Sequence, residues 1–180
     1  MVFVPETLND RFNRVSREQK STLVVSADDF RADEHGVYSH ENHMGLIAWR
    51  MAERSFDALL SEVELVVALA GAPGSGKTTW ITKHKEPGVL YLDAMLSQRK
   101  TRRAICALAA DANRPIDCVF LATDLELCLL RNMKRSPARV VPPSYVRRAH
   151  HRLTVCPPAL DEGWRHVFRV PPMSSSTGAV

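Results

Sequence analysis

Residues 71–78 read Gly71-Ala72-Pro73-Gly74-Ser75-Gly76-Lys77-Thr78, between the apolar run Val63-Glu64-Leu65-Val66-Val67-Ala68-Leu69-Ala70 and the segment Thr79-Trp80-Ile81-Thr82-Lys83. A buried strand, a glycine-rich loop and a helix in that order restrict the fold strongly. The glycines permit a tight, partly left-handed path that turns successive backbone N–H groups inward, which suits a chain of phosphate oxygens. Lys77 adds a point charge at the β/γ-phosphates. Thr78 offers a hydroxyl to a bridging magnesium ion, and the helix opening there points its positive end at the phosphates. Gly71, Ala72, Pro73, Gly74, Ser75, Gly76, Lys77, Thr78 and Thr79 are therefore expected to bind a nucleoside triphosphate.

Bulk properties narrow the class. The 180 residues suffice for one domain with a substantial core and fall short of two ordinary ones. A hydrophobic content of 45% with 24% charged residues is that of a soluble globular protein. No apolar stretch reaches membrane-spanning length, and Met1-Val2-Phe3-Val4-Pro5 lacks the pattern of a signal peptide. Cys106, Cys118, Cys128 and Cys156 have no C-x-x-C spacing, which reads as reduced thiols in a cytoplasmic protein. His35, His40 and His43 are read as surface-loop residues, with a zinc site the lesser alternative. The net charge is +4, but from Arg131 to Arg152 there are seven Lys/Arg residues, two histidines and no acid. Such a region faces a polyanion or is a solvated basic face.

Along the chain, residues 1–20 are expected to form an N-terminal arm or short helix, residues 21–170 one domain and residues 171–180 a disordered tail. Strands are expected at 21–26, 63–70, 88–93, 117–122 and 166–170. Met44, Ile47, Ala48, Met51, Ala52, Phe56 and Leu59 fall at helical spacing, and further helices are expected after Gly76, at 97–111, after Thr123 and at 144–153. Thr123-Asp124-Leu125-Glu126 has the pattern of a capping box. Five strands with interleaved helices imply an α/β fold in three layers, with a parallel five-stranded sheet and ligands at the carboxyl ends of its strands.

Acids follow three of these strands: Asp28/Asp29, Asp93 and Asp124. Phosphoryl transfer requires a phosphate cradle, a metal, cations for developing charge and one base that positions the acceptor. The loop supplies the first two. Arg131 and Arg135, four apart and expected on one helix face, supply the third, and an Asp at a neighbouring strand end supplies the fourth.

These residues resemble the kinase domain of polynucleotide 5′-hydroxyl kinases, as in the phage polynucleotide kinase-phosphatase and bacterial RNA-repair enzymes. The resemblance covers residues 21 to about 170. It rests on Gly-Ala-Pro-Gly-Ser-Gly-Lys-Thr-Thr-Trp at 71–80, Asp-Asp-Phe-Arg at 28–31, Arg-Asn-Met-Lys-Arg at 131–135 with Val-Val-Pro-Pro at 140–143, and Pro-Ala-Leu-Asp-Glu-Gly-Trp at 158–164. It implies a P-loop kinase fold and transfer of the γ-phosphate of ATP, or another NTP, to the 5′-OH of RNA or DNA in nucleic-acid repair. By the same resemblance Asp28 is the general base, Arg31 contacts the acceptor's adjacent phosphate, and Arg131 and Arg135 are lid arginines on the donor phosphates. Arg135 is nearest the transferring group. Val140 and Val141 are expected to pack on the terminal base. Thr78 and Asp93 would hold Mg2+ or Mn2+, Asp93 through water. The family usually reads Asp-x-Thr-Asn at that strand end, whereas Ala94-Met95-Leu96 follows Asp93 here. A repair ligase or phosphatase would be a separate protein.

The order of the segments departs from the family, in which the phosphate loop precedes the Asp-Asp-Phe-Arg strand and its helix. A circular permutation explains this if the strand ending at Asp28 lies at the sheet edge, the strand ending at Asp93 beside it and the strand ending at Gly71 third. The crossovers can then stay right-handed. Two other readings stay open at this point: a small-molecule P-loop kinase acting on a sugar, nucleotide, nucleotide-sugar or antibiotic, and a non-catalytic nucleotide-binding module.

Overall fold

A computed structural model describes residues 6–35, 37–38 and 42–171. The first helix, α1 (Leu8–Thr22), begins with a reciprocal cap between Thr7 and Asp10: the Asp10 amide donates to Thr7 Oγ1 at 3.2 Å and the Thr7 amide to Asp10 Oδ2 at 3.3 Å. It runs two residues into the segment expected as strand. The hydroxyls of Ser21 and Thr22 donate back to the Glu18 carbonyl, at 2.8 and 3.0 Å, and Leu23 ends the helix in a left-handed conformation with φ 53°. Strand β1 is therefore only Val24–Ser26.

The chain continues through α2 (Asn42–Leu60), β2 (Leu65–Ala70), α3 (Lys77–His84), β3 (Val89–Asp93), α4 (Arg99–Asp111), β4 (Ile116–Leu121), α5 (Leu125–Met133), α6 (Pro143–Val155) and β5 (His166–Val170). The five strands form one parallel sheet in the order β1-β3-β2-β4-β5. Chain order and sheet order thus differ at one place: β2 is laid down third from the edge before β3 fills the gap beside β1.

Alternate residues of the strands feed two cores. Val25, Val66, Ala68, Ala70, Leu90, Leu92, Cys118 and Phe120 face one side, covered by Val15 of α1, Ala48, Ala52 and Phe56 of α2, and Ile105 and Ala109 of α4. Val67, Leu69, Val89, Tyr91, Val119 and Leu121 face the other, covered by Trp80 and Ile81 of α3. Helices on both faces of a parallel sheet make a three-layer α/β arrangement. Burying each large aliphatic or aromatic side chain contributes about 1.5–3 kcal/mol, so the apolar runs at β2, β3 and β4 fix the middle of the sheet. Among the described residues no helix is long and apolar enough to cross a membrane. The expectation for the tail falls outside the described residues beyond Pro171, as does His40.

One buried ion pair locks the end of the chain onto this frame. Arg102 of α4, fully buried, donates through Nε and Nη2 to the two carboxylate oxygens of Glu162, each at 2.6 Å, and also to the carbonyls of Leu96 and Cys156 at 3.1 Å. Trp164 Nε1 donates to Glu162 at 3.1 Å. The Pro-Ala-Leu-Asp-Glu-Gly-Trp segment is thus a structural clasp between α4 and β5.

Candidate functional site

Register places three segments side by side at the carboxyl end of the sheet. Ser26 of β1 is paired with Asp93 of β3, and Asp93 with Leu69 of β2. Asp28 stands two residues beyond Ser26, and Gly71 two beyond Leu69, so the Asp-Asp-Phe-Arg segment and the glycine-rich loop leave the sheet at the same level.

The loop is built as its residues dictate. Gly74 and Gly76 have φ of +83° and +99°, which L side chains rarely adopt, and a Cβ at Gly74 would overlap the backbone of Cys128 in α5. Gly76 caps α3 with no side-chain hydrogen bond, leaving the first amides of that helix for another acceptor. Ser75 is buried, its Oγ has no hydrogen-bond partner, and its carbonyl accepts from Thr123 Oγ1 at 2.9 Å and from Arg131 Nη1 at 3.5 Å. An orphaned buried hydroxyl beside uncapped helix amides is the kind of vacancy in hydrogen bonding that a phosphate oxygen fills.

Lys77 lies across this loop, donating to the carbonyls of Gly71 at 3.0 Å and Ala72 at 3.3 Å. Desolvation pushes its pKa below the ordinary lysine value, Arg135 acts in the same direction, and Asp93 and Asp28 oppose it. The charges of Asp28, Asp93 and Arg135 therefore all bear on one ammonium. Thr78 Oγ1 donates to Asp93 Oδ2 at 2.6 Å, while Thr79 is exposed. One hydroxyl and one carboxylate in contact suit a hard cation that keeps waters and phosphate oxygens as its other ligands. Among the described residues no group of three or more His, Cys, Asp or Glu side chains makes an all-protein metal cage.

The opposite wall comes from the 3-10 turn Ala27–Arg31, capped by Ser26 Oγ, which accepts from the Asp28 amide at 3.3 Å. The Asp28 carboxylate is exposed; it accepts from Tyr38 Oη at 2.9 Å and lies 3.8 Å from Arg31 Nε. The Arg31 guanidinium is 5.7 Å from the centre of the Tyr38 ring and lies over Gly45 of α2, where a Cβ would come within 2.6 Å of it. Burial raises the pKa of the Tyr38 phenol, and the Asp28 charge raises it further, so Tyr38 stays a donor to Asp28.

The segment after α5 arches back to the loop side, where Val141 packs in a cluster with Ala72, and here the structure corrects two sequence expectations. Arg131 lies in α5, but the helix ends at Met133 with Lys134 as its cap, so Arg135 does not share its helix face and is exposed beyond the end. The backbone closes where Lys134 N donates to Leu130 O at 3.3 Å, ahead of Ser136-Pro137, a dipeptide that disfavours helix. The capping box at Thr123–Glu126 also does not form. Asp124 is the N-cap without a side-chain bond, because the Thr123 hydroxyl is directed at the Ser75 carbonyl of the loop instead.

Asn132, buried, closes the arch: its Nδ2 donates to the Val141 carbonyl at 2.8 Å and its Oδ1 accepts from the Val141 amide at 3.2 Å. Val141 is half-buried against a cluster of Ala72, Cys128, Leu129, Val146 and Ala149, and Val140 is half-buried beside it.

Sequence reasoning missed Tyr38, Gly45 and Asn132. Tyr38 sits in a polar stretch without periodicity, and the bonds of Asn132 are to backbone nine residues away, so neither leaves a local signal. No protein-family model matches this chain, and no curated protein is significantly similar to it.

Proposed function

We propose that this chain is an NTP-dependent polynucleotide 5′-hydroxyl kinase, circularly permuted so that the acceptor-side strand and helix precede the P-loop. The observation that carries the reading is the order β1-β3-β2, with Ser26, Asp93 and Leu69 in register. That order brings the Asp28 turn and the Lys77 loop to one end of the sheet although Asp28 comes first in the chain. It is the arrangement a permuted kinase of this family requires.

In this reading the amides of Gly74 and of Gly76 to Thr79 and the Lys77 ammonium bind the β- and γ-phosphates of ATP or another NTP, and the unpartnered Ser75 hydroxyl and uncapped α3 amides support this placement. Thr78 and Asp93 would hold Mg2+ or Mn2+, which when bound offsets negative charge on the phosphates. Asp28 takes the proton of the acceptor 5′-OH as that oxygen forms a bond to the γ-phosphorus and the bond to the β-phosphate oxygen breaks, releasing the nucleoside diphosphate. Arg31 sits beside Asp28 and binds the acceptor's next phosphate. Arg131 and Arg135 stabilise charge on the transferring group from the lid side, and Val140 and Val141 back the terminal base. The product, a 5′-phosphate end, is what a separate repair ligase consumes.

The test is transfer from γ-labelled ATP to 5′-OH RNA, 5′-OH DNA, a 5′-phosphorylated control and a mixture of small alcohols. Label on a 5′-OH polynucleotide and none on the blocked control is expected. Label on small alcohols alone would replace this reading with a small-molecule P-loop kinase, and binding without transfer to any acceptor would leave a non-catalytic module.

A further inference from the structure

All but the last two residues of helix α1 lie outside the stretch that carries the family resemblance, yet the helix grips the turn bearing Asp28 along its length. Gln19 Nε2 donates to the Ser26 carbonyl at 3.1 Å and to Asp29 Oδ2 at 3.0 Å. Arg11 donates to the Phe30 carbonyl at 3.4 Å and Arg14 to the Ala32 carbonyl at 3.3 Å. The Phe12 and Phe30 rings stack with centroids 6.0 Å apart. Ser26, Asp29, Phe30 and Ala32 are thus held from behind, while Asp28 and Arg31 pair with each other on the front of the turn.

Gln19 is the centre of this grip. It is 2% exposed, and Ser55 of α2 donates to its Oε1 at 2.9 Å. The Ser26 carbonyl can only accept, which fixes the nitrogen end of the amide on the turn and leaves Oε1 to the Ser55 hydroxyl, so both Nε2 protons are directed at the turn. One proton holds the residue two before Asp28 and the other the residue after it. A buried side chain bonded on both sides of an exposed carboxylate sets the position of its Cα without touching the reacting atoms.

We infer that Gln19 is a positioning residue for Asp28, and that α1 is a working part of the acceptor wall. The inference rests on the kinase reading above. Misplacing a reacting group by about 1 Å can lower a rate about 100-fold, and the hydrogen bonds of Gln19 go to the turn and to α2, none to the donor side built on β2, α3 and β3. Gln19→Met keeps the length and removes the donors.

The experiment measures kcat, KM for ATP and KM for a 5′-OH oligonucleotide at a temperature well below unfolding, for wild type, Gln19→Met, Ser55→Ala, Asp28→Ala and the surface control Arg17→Ala. Gln19→Met should lose about 10- to 100-fold in kcat with KM for ATP unchanged. Ser55→Ala, which leaves the buried Gln19 Oε1 without its donor and so loosens the amide, should show the same pattern at about 3- to 10-fold, and Arg17→Ala no change. A folded Gln19→Met with wild-type kcat, while Asp28→Ala is inactive, overturns the inference and leaves the kinase reading standing. Wild type without transfer to any acceptor overturns both. If Gln19→Met does not fold, an unchanged kcat in Ser55→Ala overturns the inference.

Discussion

Replacing Gly74 by alanine tests whether the glycine-rich loop is shaped by packing on α5 or only by its own backbone angles. Gly74, Gly76 and Gly88 are three of the four described glycines with positive φ, and they differ in what surrounds them. Gly88, at φ +75°, has nothing within 4 Å of an added Cβ; at Gly76, φ +99°, the nearest atom is 3.5 Å away, on the Arg131 side chain. At Gly74, φ +83°, the Cβ would overlap the Cys128 carbonyl oxygen and lie 3.1 Å from its Cα. All three alanine variants bear the left-handed strain of about 1–2 kcal/mol. Only Gly74→Ala adds an overlap with backbone that no rotamer relieves, an overpacking cost of about 1–3 kcal/mol. Urea unfolding at constant m-value should therefore place Gly88→Ala and Gly76→Ala about 1–2 kcal/mol below wild type and Gly74→Ala about 2–5 kcal/mol below it. Gly74→Ala should also weaken ATP binding, because relief requires the loop and α5 to separate. Equal destabilisation of Gly74→Ala and Gly88→Ala would refute the packing of the loop on Cys128.

Glu162→Ala should cost about 3–5 kcal/mol in the same unfolding assay, because it leaves the Arg102 guanidinium buried and unpaired; a loss below about 1 kcal/mol would contradict the buried pair. Asp117 gives a pH-dependent case. Burial alone would raise its pKa, but hydrogen bonds from Arg165 and His166 outweigh that and hold it below the ordinary carboxylate value. A depressed folded-state pKa contributes stability that is present above the unfolded pKa of about 4 and lost as pH falls through the folded one. Asp117→Asn should accordingly destabilise the protein at pH 7, with a difference from wild type that shrinks at pH 3; a pH-independent difference would contradict the ion pair.

The middle of the sheet and the helix after the loop were legible in the sequence because each rests on local pattern. The unbroken run Val66–Ala70 is strand in the structure, and the helix opening after Gly76 runs from Lys77 to His84. The order of strands was legible only through the resemblance, since nothing in periodicity says that β3 lies between β1 and β2. What was illegible depends on side chains bonding to distant backbone. The Thr123 hydroxyl bonds to Ser75, 48 residues away, rather than to its own helix, so a sound capping pattern predicted the wrong partner. Ser21 and Thr22 close the last turn of α1, their hydroxyls back-bonded to Glu18, although Thr22 opens a run of good strand formers. The basic stretch, one feature in the sequence, divides in space: Arg131 meets the loop, while Arg147, Arg148 and Arg152 remain exposed on α6.

The most decisive comparison is between wild type and Asp28→Ala in one preparation, scored for ATP binding and for transfer of labelled γ-phosphate to a 5′-OH oligonucleotide. Wild type should label the 5′-OH strand and leave the 5′-phosphorylated one unlabelled. Asp28→Ala should bind ATP as wild type does and lose about 100- to 10,000-fold in kcat, the range for removing a general base. Wild-type turnover in Asp28→Ala, or label only on small alcohols, would contradict a permuted kinase with its acceptor wall at the edge of the sheet.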